Sequence, residues 1–453
     1  MQAGLRVKIN MDRSPLLSPL ATTPLWNCAP EEDISSAEAI RALSRAQVLR
    51  AVRERSPISR ADLAKRVPLS RATISSVVNE LLEAGLLSEA GRATSTGGRR
   101  PTLLSYHPEA RMAVGVATFN DEVMAVLTDL DGHPLKYHRR PWGGRSPDDL
   151  LQAVITTVGE ICQEVERHKI LGLGVGLPGI VDMESGRLEM SVSMGWLNGP
   201  VDARRIIEEA LHLPTFVANR SRIAALGELQ VGVGRGVHSL LYVFIGQGIV
   251  AGLVLADEIY FGASSSAGEV GHITVVADGP LCKCGNRGCL EMFASEGAIV
   301  ARAIAKARAE PSSALREITK GNLQLLTTDH LLTCARQGDP AAVEVLNETA
   351  SYLGIALSAT LNILNPEMLV LGGPLGCKAG PLLLEPTVRE IERRTLPISL
   401  SAVKIVSGST ATECIAVGAA VLALKHTHIN RLFATSRANG ENMTKGERVS
   451  HAR

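Results

Sequence analysis

Six short apolar runs recur through the chain: MAVGVAT at 112–118, VMAVLTDLDG at 123–132, ILGLGVGLPG at 170–179, LLYVFIG at 240–246, IVAGLVLA at 249–256 and MLVLGGPLG at 368–376. They are rich in Val, Leu and Ile and punctuated by Gly, Pro or Asp, which reads as strands buried inside a sheet. Helical stretches alternate with them. Strands alternating with helices predict an α/β protein whose sheets are covered by helical layers. Glycine is common, 42 among 453 residues, and often lies inside the apolar runs, where it permits close backbone approach.

A chain of 453 residues is too long for one ordinary domain, and about three packed units are expected. Residues 1–38 are rich in Pro, Ser and Thr without sustained periodicity and read as a disordered arm; residues 426–453 read as a disordered tail. No internal repeat of twenty to fifty residues is visible in the sequence. Formal net charge is +1, so the whole chain identifies no partner by charge. Residues 39–105 differ: twelve Lys and Arg stand against five Asp and Glu. That local excess of positive charge points to an anionic partner for this segment.

Three helices are expected in the basic segment. The first runs over 44–55, with Val48, Leu49 and Val52 inward, and stops at the Ser-Pro of 56–57. The second opens on Ser59, with Asp62 in the capping-box position. Ser70 caps the third, RATISSVVNELLEAG, whose buried face is Ile74, Val77, Val78, Leu81 and Leu82 and whose end is Gly85. Its other face offers Arg71, Ser75, Ser76 and Asn79, with Thr73 in its first turn. Two short helices and a tight turn, the second starting with Arg and small polar residues, is the helix-turn-helix arrangement, which sets the start of a recognition helix against base edges in the major groove. The following LLSEAGRATSTGGRRPTLLSY reads as two strands around a wing, with Arg99 and Arg100 at its tip for a minor groove or phosphates. A winged helix-turn-helix at 39–105 is thus expected to bind operator DNA through Ser70, Arg71, Thr73, Ser75, Ser76, Asn79, Arg99 and Arg100. The competing reading is a small helical protein-binding domain with solvated arginines.

The chain has eight cysteines, and its start lacks an apolar core followed by a cleavage site. No run of eighteen apolar residues occurs, so a cytoplasmic location is expected, where clustered cysteines serve as ligands more often than as disulfides. The stretch GHITVVADGPLCKCGNRGCLE has the spacing His272-x9-Cys282-x-Cys284-x4-Cys289. Three thiolates and an imidazole complete a tetrahedral zinc ion, and a closed four-ligand set is structural. Buried free cysteines are the alternative.

At these residues the chain resembles the ROK family (repressors, open reading frames and kinases). GEVGH at 268–272 followed by CKCGNRGCLE at 282–291 is similar to the family signature, as are GLPGIVD at 176–182 and NILNPEMLVLGG at 362–373. The segment ending GGRRPTLL resembles the winged helix of the repressor branch that includes N-acetylglucosamine and xylose repressors. The resemblance covers about residues 40–425 and implies an actin-like, ribonuclease-H-like body with two α/β lobes around a sugar cleft. The first lobe is expected over 106–218, completed by a C-terminal helix at 411–425, and the second over 219–410 with the zinc site. It further implies that Asn219, Glu269, His272 and Glu291 touch sugar hydroxyls. A zinc-bound His uses one ring nitrogen on the metal and can present the other as a fixed donor.

The kinase chemistry of the family is absent at several points. Arg220 stands where the catalytic Asp follows Asn219, and a guanidinium stays protonated and cannot act as a base. The first phosphate loop, D-x-G-G-T in the family, reads VGVATFND here; the second reads GQGIVAG with Val250, and LGGPLG puts Pro374 where an N–H is needed. These departures lead to a DNA-binding regulator without kinase activity. It is expected to be a homodimer or tetramer that represses carbohydrate genes and senses a sugar or sugar derivative. The rivals are a DNA-binding sugar kinase and a regulator controlled by a sugar-transport protein. Arg220 either favours an anionic sugar or folds back onto an acid such as Glu228.

Overall fold

A computed structural model describes residues 36–433, apart from residues 93–100, 120, 145, 192–193, 197–198 and 410. The basic segment forms α1 (Ser36–Arg55), β1 (Ile58–Ser59), α2 (Arg60–Arg66), α3 (Arg71–Glu83), β2 (Leu87–Arg92) and β3 (Thr102–Tyr106). The strands pair in the order β1-β3-β2. Helix α1 begins at Ser36 rather than Ser44, because Ala42 joins the buried side and Arg41 pairs with Glu80 of α3 at 2.6 Å. The Ser59 and Ser70 hydroxyls accept the N–H groups of Asp62 and Thr73, each at 3.1 Å, and so start α2 and α3. Ile74, Val77, Val78 and Leu81 are buried as expected, while Leu82 is only partly so.

The first lobe contains β4 (Met112–Thr118), β5 (Glu122–Asp129), β6 (Pro134–Pro141), α4 (Pro147–Cys162), β7 (Ile170–Leu177), β8 (Ile180–Asp182), β9 (Arg187–Met190), α5 (Ala203–Leu211) and β10 (Thr215–Asn219). Its sheet runs β6-β5-β4-β7-β10, antiparallel through β4 and parallel beyond. Helix α6 (Arg220–Val231) then leads to the second lobe, whose strands are β11 (Leu240–Ile245), β12 (Ile249–Leu255), β13 (Glu258–Ile259), β14 (Met368–Gly372) and β15 (Lys404–Ser407). They run β13-β12-β11-β14-β15, with the same alternation of antiparallel and parallel pairs. The two lobes therefore repeat one topology. Its period is far longer than fifty residues, and the strands share no obvious residue pattern.

Helices α7 (Glu291–Ala294), α8 (Glu296–Ala309), α9 (Ala314–Ile318), α10 (Thr328–Arg336), α11 (Pro340–Leu364), α12 (Gly373–Ala379), α13 (Pro381–Glu392) and α14 (Pro397–Ala402) complete the second lobe. Helix α15 (Ala411–His426) returns to the first lobe and packs on β4, β5 and β7, while α6 lies between α15 and strands β11 and β12. Glycines make this stack possible. A Cβ at Gly174 of β7 would meet the Ala419 carbonyl oxygen at 1.8 Å, and one at Gly227 of α6 would meet the Cys414 carbonyl oxygen at 1.7 Å. Both obstacles are backbone, which cannot rotate aside as a side chain does. Gly227→Ala is accordingly expected to destabilise the protein by about 3 kcal/mol, the upper part of the overpacking range. Urea unfolding measures this, and a loss below about 0.5 kcal/mol would contradict the packing argument.

The chain beyond α15 departs from the expected tail. Residues Ile429–Phe433 form a 3-10 turn with Ile429 and Leu432 buried. Arg45 of α1 donates to Asn430 Oδ1 at 2.8 Å and lies 4.3 Å from the centre of the Phe433 ring. The turn is ordered because it covers the seam between α15 and the winged helix, whose apolar residues form one continuous cluster. Arg53 adds an ion pair to Asp131 of the first lobe at 2.5 Å. Among the described residues no helix is long and apolar enough to cross a membrane.

Candidate functional site

Strand β10 ends and α6 begins at the floor of a cleft of about 620 Å³ between the lobes. Its walls bring together Asn219, Arg220, Glu269, His272 and Glu291 from segments far apart in sequence. Asn219 is the N-cap of α6: its Oδ1 accepts the N–H groups of Ser221 (2.9 Å) and Arg222 (3.2 Å), and its Nδ2 donates to the Gly179 carbonyl at 2.6 Å. Of its side-chain groups, one N–H remains for a ligand.

Arg222 is a residue that the sequence reading missed. Its side chain is 3% exposed and its Nη2 holds Glu269 Oε1 at 2.5 Å, while Nη1 donates to the Ser265 carbonyl. The signal was present: a second basic residue in RSRIAALGE, directly before the apolar run IAAL. Glu269 Oε2 lies 3.9 Å from His272 Nε2, beyond hydrogen-bond distance, so it is Arg222 that anchors Glu269 beside His272. Glu291 Oε2 accepts the Ile249 N–H at 3.1 Å. Glu296, also on the cleft wall, accepts from Gln247 at 3.0 Å, and burial raises its pKa.

Arg220 does not fold back onto Glu228. The Glu228 carboxylate accepts from Ser409 N (2.8 Å), Ser409 Oγ (3.1 Å) and Val233 N (3.0 Å), which uses its acceptor sites inside the fold. Arg220 instead donates from Nη1 to the Thr118 carbonyl at 2.5 Å and lies 5.4 Å from the centre of the Phe119 ring. Where a kinase would offer backbone N–H groups to phosphate, Gly373 gives its N–H to the buried Tyr242 hydroxyl at 2.9 Å, and Pro374 has none.

Two members of the His and Cys quartet, His272 and Cys284, line the same cleft. His272 Nδ1 is 3.7 Å from Cys282 Sγ, Cys284 Sγ is 3.7 Å from Cys289 Sγ, and all four ligand atoms fall within 4.8 Å of one another. Tetrahedral zinc with bonds of about 2.3 Å to sulfur separates its ligands by about 3.8 Å. The donor set and its spacing therefore fit zinc, and the sulfurs are too far apart for a disulfide. Positive φ at Gly285 (91°) and Gly288 (69°) turns the loop around that centre. Because Nδ1 faces the sulfurs, His272 Nε2 is left toward Glu269 and the cleft. A second trio, Asp129, Asp131 and His133, sits at the winged-helix seam, where Arg53 already occupies Asp131.

Of the residues expected to meet DNA, Ser70, Arg71, Ser76 and Asn79 are exposed, and Thr73 and Ser75 partly so. Ser70 is engaged in capping, and Asn79 Oδ1 accepts from Arg60 at 2.9 Å, which ties α2 to α3. Arg60 was not anticipated. Arg99 and Arg100 lie outside the described residues.

A winged helix joined to two duplicated α/β lobes around a cleft defines a regulator built on an actin-like sugar-kinase scaffold. The chain belongs to the ROK family, whose model matches residues 113–426; a MarR family model matches residues 42–100. It is 32% identical over 358 residues to a putative xylose repressor of Caldicellulosiruptor sp. (strain Rt8B.4), covering 78% of this chain and 88% of that one. It is 28% identical to the DNA-binding transcriptional dual regulator NagC of Escherichia coli (strain K12), covering 76% and 84%. The crystal structure of a ROK family transcriptional regulator, a homologue of the E. coli MLC protein, superposes with a TM-score of 0.74 at 26% identity, covering 87% of this chain and 99% of that one.

Proposed function

We propose that this protein is a cytoplasmic, operator-binding repressor of carbohydrate genes, released when a sugar or sugar derivative enters the interlobe cleft, and that it phosphorylates nothing. Arg220 carries the reading. It stands at the cleft floor where a kinase needs a carboxylate base, and burial lowers its pKa only to about 10, so it remains charged at neutral pH. The Tyr242–Gly373 bond and Pro374 remove further parts of a phosphate cradle. The relatives named putative xylose repressor and DNA-binding transcriptional dual regulator NagC support the regulatory half of the reading.

In this reading Glu269, His272, Glu291 and the remaining Asn219 N–H contact sugar hydroxyls, and zinc bound by His272, Cys282, Cys284 and Cys289 holds the wall that carries them. A homodimer matches the two-fold symmetry of palindromic operators. The test is a gel shift with the purified protein and the promoter DNA of its own gene and of the genes beside it, with sugars and sugar phosphates added alone. Release by a small molecule without a second protein is the expected result; release only on adding a transport protein would replace this reading with control by that partner. ATP-dependent phosphorylation of hexoses and N-acetylhexosamines is expected to stay at background. A turnover number in the usual kinase range of about 1–100 s⁻¹ would refute the non-enzymatic part.

A further inference from the structure

Three of the four acids that line the cleft have partners inside the protein, the fourth, Asp121, is exposed, and the deepest cation is ion-paired with none of them. Glu269 is matched by Arg222 at 2.5 Å, Glu291 by the Ile249 N–H at 3.1 Å, and Glu296 by Gln247 at 3.0 Å. Elsewhere in the fold, partly buried Arg302 faces Glu348 at 3.3 Å and Arg53 faces Asp131 at 2.5 Å. Arg220 is 9% exposed, yet among the described residues it forms no ion pair. Among the described residues, one of its five N–H donors is used, on the Thr118 carbonyl. A buried guanidinium without a counter-ion is unfavourable, and the fold retains this one at a ligand cleft.

Phe119 covers one side of Arg220, and Phe244, Val250 and Pro374 line the cleft nearby. Such apolar walls exclude water and strengthen any charge interaction made there. The planar fork of a guanidinium matches the paired oxygens of phosphate or carboxylate.

We propose that Arg220 is the binding point for an anionic group on the effector, a phosphate or carboxylate carried by a sugar, so that the cleft selects a charged sugar over its neutral parent. The proposal rests on the sugar-sensing reading above. In the cleft, the anion supplies the counter-charge that the protein lacks, while Glu269, His272 and Glu291 face the hydroxyls.

The test is calorimetry on the full chain with glucose, glucuronate, glucose 6-phosphate and inorganic phosphate, repeated on Arg220→Met and Arg220→Lys. The wild type is expected to bind at least one charged sugar about tenfold or more tightly than glucose, the scale of one charge-assisted contact. Arg220→Met should lose that preference and Arg220→Lys retain part of it. Preference for glucuronate alone identifies a carboxylate, and for glucose 6-phosphate alone a phosphate; either supports the proposal. Equal affinity for glucose and both charged sugars overturns it, as does a preference that survives in Arg220→Met, while sugar sensing itself stands. If no sugar binds, sugar sensing falls, and inorganic phosphate decides: binding lost in Arg220→Met supports an anion site, and binding absent or unchanged overturns it, unchanged binding being assigned to the DNA face. Should Arg220→Met not fold, Arg220→Lys and the wild type give the same comparison.

Discussion

Replacing Cys284 by serine is expected to strip the protein of zinc and abolish its response to effector while operator binding persists. The segment from Ile273 to Leu290 holds no helix or regular strand, only the bridges Thr274–Cys289 and Leu281–Arg287. A structural zinc contributes about 10–16 kcal/mol of apparent binding free energy in small domains, so in a loop this irregular a bound zinc would be the main source of order. Without it His272 loses the bond that fixes its ring, and Lys283 and Cys284 leave the cleft wall. Effector affinity should fall by at least the 10–100-fold seen when a metal site loses a supporting group. The winged-helix residues Val48, Leu49, Leu63, Ile74 and Leu81 belong to a different apolar cluster from Val270 and Leu290, which flank this loop, so DNA binding is expected to be retained. Metal analysis should give about one zinc per wild-type chain. Full zinc occupancy in Cys284→Ser, or an unaltered effector response in a zinc-free variant, would sink the assignment.

The second large effect is expected at the DNA face. Arg71 is exposed at the first position of α3, where a recognition helix meets base edges. Arg71→Ala should weaken operator binding by about 1–3 kcal/mol and relax specificity at one base position. Adding Arg99→Ala and Arg100→Ala should weaken binding to all sequences and lower the salt slope by about two, one for each phosphate that is no longer neutralised. Fluorescence anisotropy over a range of salt separates these effects. A triple variant that binds operator like the wild type, with the same slope, would remove the winged-helix reading.

These expectations draw on two kinds of information. The His and Cys quartet was legible because its four residues lie within one short loop and their spacing alone restricts the geometry. The Ser59 and Ser70 caps were legible for the same reason, each bond reaching three residues along the chain. The apolar runs foretold buried strands, since a run of Val, Leu and Ile has no stable place in water. Family resemblance then supplied the cleft residues that composition alone does not connect.

The features readable along the chain are therefore local: which segments are helix or strand, where helices start, and which side chains suit a metal or DNA. Tertiary structure alone decided the partners. It repeated one strand order in two lobes, gave Glu269 to Arg222 across 47 residues and the Gly373 N–H to Tyr242 across 131, and brought Asn430 to Arg45 across 385. It likewise held Glu228 on Ser409 and left Arg220 without a carboxylate. The physical reason is range. Caps and ligand spacing act over a few residues whatever surrounds them, whereas a buried charge takes its partner from whichever side chains close packing brings within a few ångströms.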